Sequence, residues 1–129
     1  MRNLLIFALI LVVIMPFASA RLLAEDIHLS RIRLGDYGYV YGKEMESYVF
    51  VVNNNPDWGS QDGRVSVRFM DDSLGAYSST SSFDLRSQKG VGRTMITPLD
   101  GEPAGEYLVK VTYTDGNIHK SKYRFVIVE

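Results

Sequence analysis

The sequence predicts an all-β chain, an antiparallel sandwich of about seven short strands. Three observations carry that expectation. The stretch Gly105–Glu129 holds two alternating runs around Thr114-Asp115-Gly116-Asn117, and an Asp-Gly turn between such runs is a direct hairpin signature. Upstream, runs rich in β-branched and aromatic residues recur at spacings of roughly ten to fifteen residues. No helical periodicity follows residue 20. A small closed barrel is the alternative arrangement of the same elements.

Residues 1–20 precede the domain. Arg2 is a short basic segment, Leu4 to Phe17 is an unbroken apolar run, and Ala18-Ser19-Ala20 is a small-residue cleavage site. This is the pattern of a secretory signal peptide, shorter than the about twenty residues of a comfortable membrane span. Cleavage after Ala20 leaves one domain over 21–129 that is secreted or held in the cell envelope; an uncleaved leader is the only membrane attachment expected. There is no cysteine, hence no disulfide and no lipid-modified cysteine. Packing alone must replace the about 2–4 kcal/mol that an inter-sheet disulfide supplies elsewhere. An exported, disulfide-free β-domain leans towards an archaeal or bacterial source. The chain ends directly after its last strand, so no C-terminal anchor is expected. With 14 basic and 15 acidic residues the net charge is -1, which gives no basic surface for nucleic acid.

Ile27 to Leu34 reads as the first strand. Ile27 and Leu29 share one parity, Ile32 and Leu34 the other, so a bulge is expected near Ser30-Arg31. Gly35 to Gly42 is a Gly/Tyr-rich connection. Glu44 to Asn53 is the second strand, with Val49 and Val51 on one face and Tyr48, Phe50 and Val52 on the other. Asn53 to Ser60 is a turn-rich loop carrying Trp58, and Pro56 stops any strand there. Arg64 to Met70 alternates with Val65, Val67 and Phe69 inward. Asp71-Asp72-Ser73 is a turn. Leu74 to Leu85 is a weak strand broken by the run Ser78–Ser82, read as a solvated loop. Val91 to Thr97 is a strand of unsettled facing that Pro98 ends.

The terminal hairpin carries an expectation of register. The apolar sets are Tyr107, Val109, Val111 and Tyr113 in one strand and Tyr123, Phe125 and Ile127 in the other. A two-residue loop sets Val109 opposite Lys122 and puts an ammonium in the core, at a cost of several kcal/mol. A three-residue loop, Asp115-Gly116-Asn117, pairs Tyr107 with Phe125 and Val109 with Tyr123, and is preferred, with Gly116 or Asn117 at positive φ.

At Pro103-Ala104-Gly105-Glu106-Tyr107-Leu108-Val109-Lys110-Val111 the chain resembles the loop and penultimate strand of immunoglobulin-like and fibronectin-like modules. Tyr107 stands where those modules place a tyrosine corner. Val49-Phe50-Val51-Val52-Asn53-Asn54 is similar to the second strand of CARDB-type domains of archaeal and bacterial surface proteins. The resemblance implies an immunoglobulin-like β-sandwich in a cell-surface, adhesive or spacer-like setting, and it carries over no catalytic residue. Such modules usually occur as repeats, whereas here one stands alone.

Candidate sites are few. His28 and His119 stand far apart, without partners at metal or acid–base spacing, and read as exposed strand residues; no cofactor is expected. Asp57, Asp62, Asp71-Asp72 and Asp100-Gly101-Glu102 are turn carboxylates that lack calcium-loop spacing. No nucleophile elbow, phosphate loop or zinc-protease motif is present, so no enzyme is expected. Tyr48, Phe50 and Val52 form an apolar stripe suited to self-association or to docking on another envelope or surface protein. Trp58 with Tyr37, Tyr39 and Tyr41 is the candidate glycan platform, against the plainer reading that Trp58 plugs one end of the sandwich. Tyr107 and Gly116 are structural.

Overall fold

The computed structural model describes residues 22–71 and 75–129. The leader read at 1–20, its cleavage point, and Asp72, Ser73 and Leu74 lie outside the described residues. Among the described residues a 3-10 turn, Ala24–Asp26, precedes eight strands: β1 Ile27–Leu34, β2 Tyr39–Val40, β3 Glu44–Asn53, β4 Ser60–Phe69, β5 Ser78–Leu85, β6 Gly90–Pro98, β7 Gly105–Thr114 and β8 His119–Val128. They form a sheet of order β1-β3-β6 and a sheet of order β2-β8-β7-β4-β5. All pairings are antiparallel except β2 with β8.

Alternation places the core between the sheets. Ile27, Leu29, Val49 and Val51 from one sheet and Val65, Val67, Phe69, Val109, Val111 and Tyr113 from the other form one cluster almost without solvent contact. The change of parity in β1 is absorbed at Ser30, where the register to β3 shifts between Leu29 and Arg31. In β6 the core side carries Met95 and Thr97, while Ile96 faces solvent. On the outer face of the smaller sheet, Gly90 and Gly92 leave room for the rings of Phe50 and Tyr48: a Cβ at either glycine would collide with them. Two glycines in a strand weaken it, and the rings laid over them restore contact.

Four expectations need correction. The run Ser78–Ser82 is not a loop but the body of β5, an edge strand on β4. Its hydroxyls find partners across strands and sheets: Ser79 with Thr97 at 2.8 Å, and Thr80 with Ser66 at 3.2 Å. The connection Gly35–Gly42 contains β2, which lies parallel to the end of β8. The strand count therefore rises to eight among the described residues.

The fourth correction concerns the terminal hairpin. Tyr107 lies opposite Val126, Val109 opposite Arg124 and Val111 opposite Lys122, and the last pair, Thr114 with His119, leaves a loop of Asp115–Ile118. Gly116 takes φ +92°, as the turn requires, and Asp115 Oδ1 accepts from Asn117 N at 3.1 Å and Ile118 N at 2.8 Å. In this register Val126 and Val128 enter the core and Tyr123, Phe125 and Ile127 face outward. The lysines on the inner side are not stranded. Lys120 Nζ donates to Ile27 O at 2.6 Å and Lys122 Nζ to Leu29 O at 3.0 Å. Their stems cover the open side of the sandwich while the ammonium groups satisfy carbonyls on the edge of β1, so the desolvation penalty does not arise.

Tyr113 is fully buried, its ring 6.3 Å from that of Phe83, and its hydroxyl donates to Asp115 Oδ2 at 3.2 Å. Burial pushes this hydroxyl from 10.0 up to about 12, with the nearby Asp115 carboxylate adding to the shift. A folded pKa above the unfolded one stabilises the fold below pH 10, and the contribution is lost as pH rises from 10 towards 12. Urea titrations between pH 8 and about 11.5 should show stability falling above pH 10, and Tyr113→Phe should flatten that fall. Parallel pH curves for the two proteins would contradict it.

Candidate functional site

The outward side of β8 carries a contiguous run of exposed apolar side chains. Period-2 geometry puts Tyr123, Phe125 and Ile127 on one face, and the parallel pair Tyr39–Ile127 adds Tyr39. These four are 49, 66, 39 and 45% exposed. Leu108, opposite Phe125 on β7, is half-buried beside them. Lys110 lies opposite Tyr123, its ammonium 5.9 Å from the ring centroid. Tyr37 and Tyr41 flank β2, at 87 and 60% exposed. Tyr37 holds φ +50°, an uncommon backbone for a tyrosine, in a turn closed by Gly38 N donating to Leu34 O at 2.9 Å.

Sequence reasoning missed this face because it assigned the β8 aromatics to the core. The available signal was Val126 and Val128, an apolar pair of opposite parity that also needed burial.

Tyr48, Phe50 and Val52 do project outward on β3, as the alternation requires, but each is half-buried. The rings are laid over Gly92 and Gly90. Arg33 and Arg31 on β1 stand opposite Tyr48 and Phe50, and His28 opposite Val52. The stripe is therefore largely covered by its own sheet.

Trp58 and the tyrosines do not meet. Trp58 is half-exposed at the end of the molecule where β8 begins and lines an open cleft with Leu22, Ser60, Asp62, Asn117 and His119. Tyr39 pairs with Ile127 at the other end of β8, roughly 25 Å away at the rise of a β-strand. The Trp58 loop is held by amides. Asn53, fully buried, donates from Nδ2 to Trp58 O at 2.7 Å and to Arg86 O at 3.3 Å, and accepts from Asn55 N at 2.9 Å. Asn55 Oδ1 accepts from Asp57 N and Trp58 N, both at 2.9 Å, and its Nδ2 donates to Asp26 Oδ2 at 2.9 Å. That bond, with a second from Leu23 N, holds the Asp26 carboxyl below its ordinary range.

His28 and His119 are both exposed, and no group of three or more His, Asp or Glu among the described residues is placed to hold a metal ion. Tyr107 is half-buried at the start of β7, its ring 5.5 Å from that of Phe69 and its hydroxyl donating to Pro103 O. Burial, with the Glu102 carboxylate beside it, pushes that hydroxyl up to about 12.

No protein-family model matches the chain, and no curated protein matches it. Among solved structures it is similar to Spo0M, a sporulation control protein from Bacillus subtilis, at 18% identity and a TM-score of 0.52. The match covers 81% of this chain and 49% of that one, so the chain spans about half the length of Spo0M. A β-glucosidase from Kluyveromyces marxianus in complex with glucose aligns over 81% of this chain and 15% of its own, at 14% identity and a TM-score of 0.44, too low to argue from. The first likeness is one of fold and agrees with the all-β architecture of two facing sheets.

Proposed function

We propose that this chain is an exported, non-enzymatic immunoglobulin-like module of the cell envelope that works by protein–protein contact. The exposed apolar face of Tyr39, Tyr123, Phe125 and Ile127 carries the reading. Contiguous exposed apolar surface on a small domain costs solubility, and its usual use is a contact site. At about 25 cal/mol per Å², covering four such side chains supplies several kcal/mol before the entropic cost of association. The strand order supports the immunoglobulin-like assignment: a three-stranded sheet faces a five-stranded one whose edge strand β2 runs parallel to the last strand. The CARDB-type resemblance of the second strand favours a surface setting, and the pattern of residues 1–20 supports export.

The test pairs a binding readout with a stability readout. Tyr123→Ser/Phe125→Ser removes exposed groups, so its stability should stay within about 0.5 kcal/mol of wild type in urea. The same variant should lose the partner that wild type retains from envelope extract. Equal retention by both proteins would sink this reading.

One observation favours a glycan reading in second place. Tyr37, Tyr39 and Tyr41 are all exposed at one end, giving stacking surfaces without Trp58. A glycan array separates the two. Saturable binding lost in Tyr37→Ala and Tyr41→Ala, yet kept in Tyr123→Ser/Phe125→Ser, supports the glycan; absence of binding removes it.

A further inference from the structure

We propose that the open edge of β8 between Ser121 and Phe125 receives an extended segment of a partner protein in which carboxylate and apolar side chains alternate. This deepens the contact reading above and rests on it.

The backbone argument comes first. β8 pairs with β7 along its whole length, but on its other side only Ile127 and Val128 have a neighbour, β2. Ile127 N donates to Gly38 O at 2.8 Å and Glu129 N to Val40 O at 3.0 Å, which fixes the side to which odd-numbered residues direct their amides. The register to β7 runs without a bulge, so Ser121, Tyr123 and Phe125 direct theirs to the same side. No strand among the described residues is hydrogen-bonded there; Gly38 borders the Phe125 carbonyl, and the side chains of Lys120 and Lys122 cross to β1. The Tyr123 carbonyl accepts from its own neighbour, Arg124 Nη1, at 2.9 Å, a bond that a guest amide can replace. The chain thus already adds one short strand to this edge and leaves the rest of it open. An open edge of this kind is a template for strand addition.

The side chains specify the guest. On the inner side of β8 stand Lys120, Lys122 and Arg124, and Arg33 of β1 lines the same small cavity as Arg124 and Phe125. The ion pair of Lys43 with Asp100, at 3.9 Å, involves none of them. Lys120 and Lys122 are bonded only to carbonyls, so a carboxylate adds an ionic partner without displacing one. On the outer side the same edge offers Tyr123 and Phe125. A cavity of about 230 Å³ between Ile32, Tyr37, Arg124 and Phe125 gives room for one guest side chain at the lower end. Cross-strand neighbours share a face, so guest residues beside Lys122 and Arg124 carry carboxylates and those beside Tyr123 and Phe125 are apolar. A second copy of this chain does not fit: pairing β8 with β8 sets basic residues against basic residues, a recognised guard against edge-to-edge association.

Fluorescence anisotropy of the purified protein tests this with four labelled nonapeptides. They are an alternating Glu/Val-Phe peptide, a peptide of the same composition with its Glu residues in one block, an alternating Lys/Val-Phe peptide, and the first peptide N-methylated at alternate residues. The alternating acidic peptide should bind at least about tenfold tighter than the blocked and N-methylated ones, a difference of about 1.4 kcal/mol. The Lys peptide should not bind. Amide exchange at Tyr123 and Phe125 should slow at least about tenfold in the complex. Arg124→Glu, which spares the lysine contacts with β1, should weaken the acidic peptide and admit the Lys peptide. Equal binding of alternating and blocked peptides, or a bound peptide that leaves the Tyr123 and Phe125 amides unprotected, overturns the proposal. So does tight binding to phosphatidylglycerol vesicles that the acidic peptide fails to displace, since that marks the basic side of β8 as a membrane surface. In any of those cases the partner loss in Tyr123→Ser/Phe125→Ser still judges the contact reading separately.

Discussion

Asn53→Ala is expected to lower stability by about 3 kcal/mol and to loosen the loop around Trp58. The side chain is fully buried and joins three backbone groups: the carbonyls of Trp58 and Arg86 and the amide of Asn55. Truncation leaves each without that partner, and each unsatisfied buried group costs about 1–3 kcal/mol where water cannot reach it. The effect spreads, because Asn55 in turn fixes Asp57, Trp58 and Asp26. Asn53→Asp should be worse than Ala, since a carboxylate there faces two carbonyl oxygens in place of a donor. Trp58 is the only tryptophan, so its emission reports the loop directly: a red shift and stronger iodide quenching should accompany the lowered urea midpoint. Unchanged midpoint and emission in Asn53→Ala would show that the amide network does not hold the loop.

Tyr107→Ala should cost about 3 kcal/mol and Tyr107→Phe about 1 kcal/mol. The ring packs on Phe69 and the hydroxyl ties the start of β7 to Pro103. Loss of the hydroxyl alone removes one hydrogen bond. Loss of the ring also uncovers Phe69 and frees the connection from β6. The hydroxyl, pushed up to about 12, is a donor throughout the neutral range, as an unshifted tyrosine would also be. Urea titration decides the matter, and a wild-type midpoint for Tyr107→Ala would refute the assignment.

Where one phase of alternation dominated, the strands were legible in the sequence. β3 begins at Glu44 and ends at Asn53 as expected, because Val49 and Val51 have a clear parity and Pro56 forbids continuation. The bulge in β1 was legible for the same reason: a parity change within one strand has no other cheap solution. The tyrosine bonded to its own upstream loop was legible from the local pattern around Gly105-Glu106-Tyr107.

β8 was misread because both of its parities are apolar near the end. Tyr123, Phe125 and Ile127 outweigh Val126 and Val128 in volume, and the lysines argue against the other phase. What sequence alone does not reveal is that β8 lies at an open side of the sandwich, where lysine stems reach backbone carbonyls of β1. Serine run and loop were likewise confused in β5, because an edge strand tolerates small polar residues that a central strand does not. Trp58 and the tyrosines do not form one platform: nothing in the sequence says that Trp58 and Tyr39 lie beside opposite ends of the ten-residue β8. The exposed face therefore became visible only once the register of the last hairpin was known.

The most direct test of contact through the β8 face is photocrosslinking in cells that express the protein. A photoreactive phenylalanine analogue replaces Phe125 in one protein and Thr80, exposed on the opposite edge strand β5, in another. Contact through this face predicts a discrete crosslinked polypeptide from position 125 that position 80 does not yield. No product from position 125, or the same products from both positions, would contradict it.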